Sequence, residues 1–219
     1  MTISVPVEAL CVGSAVPFRG AEASAIAKEP VEGPVRIARM GLEGDEQADR
    51  RVHGGPDMAV HCYPLDHHDW WRRQLGGHDL LDEPGAFGSN VATVGLVETD
   101  VFLGQQLSIG SALLEISQPR QPCWKIEHRF GHKGMVVAIV QSRRCGWYMR
   151  VVVEGVARAG DQLVLKPPPK NAPTVAEAFG ALFGDRSDTT AAMLEDLSRN
   201  PVLPQKLRER AAAMLAAKD

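Results

Sequence analysis

The sequence predicts a β-rich α+β protein with a small helical unit at its C-terminal end. Short apolar segments alternate with glycine- and proline-marked turns through the first 166 residues, a pattern typical of a barrel or a sandwich. Three consecutive prolines at 167–169 then interrupt the chain, and alanine, leucine and charged residues dominate after them. We therefore expect a β-rich domain over residues 1–166, a linker over 167–173 and a C-terminal unit over 174–219.

The β-rich domain is predicted to contain six strands and two inserted helices. The strands cover residues 35–40, 59–63, 106–109, 113–117, 149–154 and 162–165. The inserted helices run from about residue 64 to 75 and from about 135 to 144. Asp66 and Asp69 lie early in the first of these helices, where acidic side chains are stabilising. The Gly110-Ser111 turn joins two of the strands as a hairpin.

Three short helices are predicted after the linker. Thr174 is a good N-cap for the first helix, and Glu177 stands at the capping-box position. The second helix begins near Ser187 or Asp188, and the third runs from about residue 204 to 218. No catalytic group is apparent in this bundle. The bundle could recruit an electron donor or a second copy of the chain, and its sequence does not distinguish these two roles.

Composition argues against several classes of partner. The 24 lysines and arginines are balanced by 27 acidic residues, so no global positive field attracts nucleic acid or an anionic membrane. No segment approaches the roughly 18 consecutive apolar residues of a transmembrane helix. The N-terminal run has no basic start and is broken by Pro6 and Glu8, so we expect no signal peptide and a cytoplasmic location.

The four cysteines form no C-x-x-C pair and show no paired zinc-ligand spacing. Three of them, Cys11, Cys62 and Cys145, are expected to be packing residues. A zinc site around Cys62 is not expected, because the neighbouring His61 points to the opposite face of a strand.

Cys123 differs from the other cysteines because two prolines, Pro119 and Pro122, fix the backbone before it. Arg120 lies three residues earlier, and a short helix is expected to begin near the thiol. Positive charge and a helix N-terminus both favour the thiolate, which attacks electrophiles or binds metal. The alternative is a buried cysteine that acts as a small hydrophobic residue.

A glycine-rich stretch over residues 41–57 is a candidate for ligand binding. Paired glycines such as Gly54 and Gly55 let a ligand approach main-chain N–H groups closely, and His53 beside them offers a further hydrogen bond. A tight loop capped by an aspartate is the alternative. Lys28 offers a point charge to an anionic ligand, or is a solvated surface lysine. Neither a phosphate-binding P-loop nor a dinucleotide motif occurs.

In their order along the chain, these motifs resemble the MOSC domain family, named after the C-terminal domain of the molybdenum-cofactor sulfurases. The segments that carry the resemblance are Ala25-Ile26-Ala27-Lys28, Gly41-Leu42-Glu43-Gly44-Asp45-Glu46-Gln47-Ala48, His53-Gly54-Gly55-Pro56-Asp57, Phe87-Gly88, Asn90, Gln118-Pro119-Arg120, Pro122-Cys123 and Gly146-Trp147-Tyr148. The subgroup that the chain resembles most is the bacterial hydroxylaminopurine-resistance proteins, which share the three-helix appendage. The resemblance covers the chain from about residue 8 to its end.

The resemblance implies a β-barrel core that binds molybdenum cofactor, a pyranopterin dithiolene with a phosphate. It implies that Cys123 is the protein ligand to molybdenum and that Cys123 and His53 are the catalytic residues. The cofactor-binding positions that it implies are Lys28, Asp45, His53, Gly54, Gly55, Asn90, Thr93, Arg120 and Cys123. Pyridoxal phosphate binding is a further suggestion at the level of the family.

The activity that the resemblance implies is reductive removal of oxygen from N-hydroxylated bases or amines. Electrons would come from a separate redox protein, because the chain has no iron–sulfur or flavin motif. One alternative is a non-catalytic carrier of cofactor or sulfur on Cys123. Another is a metal-free enzyme with Cys123 as nucleophile and His53 or His128 as base. The sequence is also compatible with a homodimer.

The chain departs from the family at one position. Where the family usually has Gly-Glu-Asn, this sequence has Gly88-Ser89-Asn90. The missing carboxylate is expected to remove a hydrogen-bond acceptor from the edge of the pocket, which would weaken cofactor anchoring or alter substrate preference.

Overall fold

The computed structural model describes residues 3–48, 54–185 and 189–217. Its centre is a closed barrel of seven strands. The strands of the described chain, in order, are β1 (Ser4–Val12), β2 (Val16–Arg19), β3 (Glu22–Ser24), β4 (Glu29–Pro30), β5 (Val35–Ala38), β6 (Gly41–Leu42), β7 (Val60–Pro64), β8 (Val91–Thr93), β9 (Gln106–Ile109), β10 (Ala112–Pro119), β11 (Trp147–Val153), β12 (Gly155–Ala157) and β13 (Gln162–Leu165).

Neighbouring strands around the barrel follow the order β13-β9-β10-β11-β7-β8-β1, and pairing of β1 with β13 closes it. Every barrel pair is antiparallel except β7 with β8, which run parallel. The short strand β4 pairs with the end of β1 outside the barrel. The β2–β3 pair forms a separate hairpin, and β5 joins β6 and β12 in a small sheet. The prediction of a β-rich α+β fold with a barrel core is therefore confirmed.

Helices lie between the strands and after them. The α-helices are α1 (His68–Leu75), α2 (Lys125–Phe130), α3 (Met135–Ser142), α4 (Val175–Phe183), α5 (Ala191–Arg199) and α6 (Gln205–Ala216). Short 3-10 turns cover Pro56–Met58, Leu65–His67 and Asp79–Asp82. The two inserted helices are confirmed, the first as a 3-10 turn that continues into α1. No helix in the described ranges is long and apolar enough to cross a membrane.

The longest strand, β1, was not predicted. Pro6 and Glu8 interrupt its apolar run in the sequence, but both are exposed and alternate with the buried side chains of Val5, Val7 and Ala9. This alternation is the period-two pattern of a strand with one buried face. The two residues that interrupt the apolar run thus lie on the outer face of the strand. Strand β1 closes the barrel by pairing with β13.

The helices after the proline segment pack against the barrel. Val175 N donates to Val101 O at 2.9 Å, and Leu103 N donates to Pro173 O at 3.0 Å. The buried side chain of Phe179 belongs to the same hydrophobic core as the barrel strands. The domain boundary at residues 167–173 stays a prediction, and the core is continuous across it.

The predicted capping box of α4 is confirmed. Thr174 Oγ1 accepts a hydrogen bond from Glu177 N at 3.1 Å, and the Glu177 carboxylate accepts one from Thr174 N at 2.8 Å. The next helix, α5, begins after Thr190, whose side chain caps it. The predicted start at Ser187 or Asp188 lies outside the described residues.

Gly146, at the entry to β11, has no space for a side chain. Its φ is +70°, and a Cβ atom would lie 2.5 Å from the Cys62 carbonyl oxygen and 2.9 Å from His61 Nε2. Its N–H donates to Glu98 Oε1 at 2.6 Å, and its carbonyl accepts from Arg120 N at 3.1 Å. This glycine therefore sets the position of the backbone at Arg120.

We predict that Gly146→Ala destabilises the fold by about 3 kcal/mol or more, because left-handed strain and overpacking add. Gly131→Ala is the matched control: Gly131 also has positive φ, +59°, but no atom lies within 4 Å of its added Cβ. Strain alone should make the control cost about 1 kcal/mol. Urea unfolding of both variants measures the difference, and equal losses would contradict the packing argument.

Candidate functional site

Six of the predicted site residues line a single cleft, of about 700 Å³ including its open mouth. These residues come from distant parts of the chain and are Lys28, Asp45, Gly54, Asn90, Arg120 and Cys123. The barrel therefore brings together residues that are up to 95 positions apart, from Lys28 to Cys123.

Arg120 and Cys123 enter the cleft directly after β10, where that strand ends at Pro119. Cys123 precedes α2, and its carbonyl accepts a hydrogen bond from Ile126 N at 3.1 Å. The predicted helix near the thiol is thus present. Cys123 is partly exposed.

The other three cysteines are packing residues, as predicted. Cys11, Cys62 and Cys145 are all fully buried. Burial raises the pKa of the Cys11 thiol to about 12, and burial also raises the pKa of the Cys62 and Cys145 thiols. These three thiols are therefore neutral at physiological pH.

Asp45 is the centre of a buried polar cluster in the wall of the cleft. Its Oδ1 atom forms an ion pair with Lys28 Nζ and accepts Gly13 N at 2.9 Å, while Oδ2 accepts Asn90 Nδ2 at 2.8 Å. Burial lowers the pKa of Lys28, and the Asp45 carboxylate opposes that shift. The charge of Lys28, expected to meet an anionic ligand, is therefore already matched by a carboxylate of the protein.

The Asn90 side chain joins this cluster to two barrel strands. Its Oδ1 atom accepts the backbone N–H of His61 on β7 at 3.0 Å. Its Nδ2 atom also donates to the carbonyl of Cys11 on β1, at 3.2 Å. The amide thus holds the two strands and Asp45 together, and its own polar atoms are satisfied inside the protein.

Two buried polar side chains in the cleft have atoms without a partner among the described residues. Arg120 is 5% exposed, and its Nη1 atom makes no hydrogen bond there. His61 is 3% exposed, and its Nδ1 atom lies 3.1 Å from Gly88 O. A carbonyl only accepts, so Nδ1 carries the proton and the unpartnered Nε2 is a bare acceptor. Burial, assisted by the charge of Arg120, lowers the pKa of His61 to about 3.

Among the residues that line the cleft, His61, Lys125 and Tyr148 were not predicted as site residues. Lys125 Nζ donates to Ala23 O at 3.0 Å, so this buried lysine holds the β2–β3 hairpin beside the cleft. Burial raises the pKa of Tyr148, and Arg120 opposes the shift. The available signals were the position of Lys125 two residues after Cys123 and the alternation of β7, which turns His61 away from Cys62.

The structure does not bring two of the predicted cofactor residues to the cleft. Thr93 is buried on β8, with its Oγ1 atom 4.0 Å from the sulfur of Cys62. Gly55 lies at the start of a 3-10 turn, where its N–H donates to Gln47 Oε1 at 3.2 Å. His53 lies outside the described residues.

Ser89, the departure from the family pattern, is fully buried. Its hydroxyl donates to the carbonyl of Pro84 at 2.9 Å, and its side chain does not line the cleft. Gly88 and Asn90, on either side, do line it. The position that lacks the family's carboxylate therefore points into the protein interior.

A second cavity, of about 760 Å³ including open solvent, meets the cleft at Met58, Cys123 and Tyr148. Its remaining wall comes from the segment that precedes Cys123 and from the start of α6, with Gln118, Gln121, Pro122, Pro204, Lys206 and Leu207. The C-terminal helices therefore form part of the surroundings of Cys123, although their sequence indicates no catalytic group.

Comparison with known proteins identifies relatives of this chain. The MOSC domain family model matches residues 49–164. YiiM of Escherichia coli is 39% identical over 142 residues, which are 65% of this chain and 63% of YiiM. YflK of Bacillus subtilis is 37% identical over 169 residues, 76% of this chain and 74% of YflK.

A protein of Gibberella moniliformis that is named a reductase is 37% identical over 150 residues. The match covers 67% of this chain but 27% of the fungal protein. The sequence match thus spans less than two thirds of the E. coli relative and about a quarter of the fungal one.

Solved structures agree with these relatives across nearly the whole chain. The crystal structure of YiiM from Geobacillus stearothermophilus has a TM-score of 0.81 at 30% identity and covers 96% of this chain and 99% of its own. The crystal structure of E. coli YiiM has a TM-score of 0.80 at 25% identity and covers 99% and 94%. The resemblance found in the sequence is confirmed, and this chain belongs to the MOSC domain family.

Proposed function

We propose that the cleft binds molybdenum cofactor and that the protein reduces N-hydroxylated bases or amines beside Cys123. The observation that carries the proposal is the cleft itself, which unites a partly exposed thiol with two buried, unpartnered polar groups. Buried polar atoms without partners are uncommon in folded proteins and need an explanation such as a bound group.

The residues of the cleft fit a polyanionic cofactor with a soft metal. Arg120 presents a donor without a partner among the described residues, and arginine is well suited to bidentate binding of phosphate and carboxylate groups. Gly54 and Gly88 line the cleft and have positive φ, 133° and 75°, a backbone conformation that residues other than glycine rarely adopt. The Cys123 thiolate is a soft ligand of the kind that molybdenum favours. Arg120 and Cys123 would therefore hold the cofactor, with Gly54 and Gly88 in the cleft wall beside it.

The bound cofactor would supply oxygen-atom transfer, and the protein supplies orientation and protons. Reduction of R–NH–OH breaks the N–O bond: two electrons and two protons give R–NH₂ and water. The electrons are proposed to come from a separate electron-transfer protein. Tyr148 lies where the two cavities meet, and its raised pKa keeps the phenol protonated and able to donate a hydrogen bond to substrate oxygen.

A metal-free thiol enzyme is less well supported by the geometry. His128, one of the two expected bases, is exposed, and its Nε2 atom lies 3.1 Å from Phe18 O. His61 lines the cleft with Cys123, but a pKa of about 3 makes it a weak base at neutral pH. His53 stays a predicted catalytic residue, and its position is outside the described ranges.

The remaining expectations belong to the same proposal. A separate electron-transfer partner follows from the proposed chemistry, and a cytoplasmic location and a homodimer are compatible with it. Pyridoxal phosphate binding stays a suggestion from the family and is not needed for this reaction.

We predict that the protein, purified from a host that makes the cofactor, contains molybdenum and pterin and reduces N-hydroxylated amines. Cys123→Ser should lower this activity by at least about 100-fold and reduce the bound molybdenum, because the proposed metal ligand is removed. Metal analysis and amine formation with a chemical reductant measure both quantities.

The control for this experiment is Cys62→Ala, which removes a buried thiol outside the cleft. A wild-type protein without molybdenum, together with identical behaviour of Cys123→Ser, would contradict the proposal. Persulfide on Cys123 without reduction of any substrate would instead establish the sulfur-carrier alternative.

We also predict that His61 makes the fold less stable in acid. Its pKa is about 3 in the folded protein and about 6.5 unfolded, so below pH 6.5 the unfolded chain binds more protons. Stability therefore falls as the pH drops from 6.5 toward 3. Between pH 6.5 and pH 5 the His61 contribution is about 2 kcal/mol.

Urea unfolding of wild type and His61→Gln at pH 7.5, 6.5 and 5 tests this expectation. The glutamine variant keeps a donor for Gly88 O but does not titrate, so its stability should fall less with acid. Above pH 7 the difference between the two proteins should be constant. Parallel losses from pH 6.5 to 5 would show that His61 is not the buried neutral group described above.

A further inference from the structure

The second cavity beside Cys123 contains one charged side chain, Lys206, among its described lining residues. Gln118 and Gln121 add amides, while Met58, Pro122 and Leu207 add apolar surface. No aspartate or glutamate in the described ranges is part of this wall. A compartment of this composition suits a flat polar heterocycle that carries a negative charge at one end.

We propose that Lys206 selects N-hydroxylated nucleoside phosphates over the corresponding uncharged nucleosides. The inference rests on the proposed function, because it places the reacting N–OH group near Cys123 and the phosphate near α6. Lysine is a common phosphate-binding residue and acts as a point charge.

The charge of Lys206 is available for a ligand. Lys206 is exposed and forms no ion pair or hydrogen bond with the described part of the chain. Glu209, one helical turn further on, accepts a hydrogen bond from Gln205 Nε2 at 2.7 Å. The charge at this end of the cavity is thus not cancelled by an ion pair within α6.

The carboxylates nearest along the chain to the cavity wall are also paired elsewhere. Asp57, next to Met58, binds Arg150 Nε at 2.8 Å. Glu115 on β10 binds Arg150 Nη1 at 2.7 Å. Arg150 offsets one of the two negative charges, so the trio keeps a net charge of −1, and none of its three side chains lines the cavity.

The start of α6 brings Lys206 into the wall of the cavity that also contains Cys123. Arg150 Nη2 donates to Val202 O at 2.6 Å and so anchors the segment that leads into α6. Pro204 and Leu207 pack in the wall on either side of Lys206 along the chain. A rigid approach to α6 lets a single cation discriminate between charged and uncharged substrates.

The test compares two substrates that differ by one phosphate, N6-hydroxyadenosine and its 5′-monophosphate. For the holoenzyme, the ratio of kcat/KM for the phosphate to kcat/KM for the nucleoside is expected to exceed one. Lys206→Gln should lower this ratio about threefold, and Lys206→Glu about tenfold, as expected for loss and reversal of one exposed charge pair. The control is Lys170→Glu, which changes the net charge equally but lies outside both cavities.

A binding measurement separates this inference from the proposed function. Adenosine and adenosine 5′-monophosphate are not reduced, so their affinities, measured by calorimetry on the same proteins at low and high salt, do not depend on turnover. If no substrate is reduced but the preference for the phosphate still depends on Lys206, the proposed function fails and Lys206 retains its role. If both substrates are reduced with a ratio that Lys206→Glu leaves unchanged, or that Lys170→Glu lowers equally, the inference about Lys206 is wrong.

Discussion

The arrangement of the cleft depends on the carboxylate of Asp45. It joins Lys28, the N–H of Gly13 and the amide of Asn90, which in turn holds β1 and β7. A buried ion is costly unless charge and hydrogen bonds compensate it, and each member of this cluster compensates the others. Loss of one partner would leave an uncompensated buried charge or donor. The cluster therefore fixes the strands that carry the cleft before any ligand arrives.

The charges within this cluster neutralise one another, so its members are not the groups that would bind a ligand. Arg120 and Cys123 are the candidates for that role. Arg120 keeps an unpartnered donor, and its backbone is fixed by the carbonyl of Gly146. Cys123 follows three residues later, between the cleft and the cavity that α6 completes. The barrel thus separates groups that hold its shape from groups that face the cleft. The C-terminal helices add a wall to the same site.

The sequence predicted those features of the fold and site that have a local signal. Strands β9 and β13, the capping box at Thr174 and the proline-framed Cys123 all follow from patterns within a few residues. Strand β1 was missed because Pro6 and Glu8 occupy its exposed face. The pairing of Lys28 with Asp45 joins positions that have no local relation, and Lys206 has the pattern of an ordinary solvated helix residue. Such relations arise only from the closure of the barrel and the packing of α6.

We propose that the cleft beside this self-neutralised cluster holds molybdenum with Cys123 as a ligand. X-ray absorption at the molybdenum edge, on protein isolated with its metal, counts the sulfur atoms bound to the metal. The account predicts one sulfur fewer per molybdenum in Cys123→Ser than in wild type, with the fold retained. The same sulfur count in both proteins would contradict it.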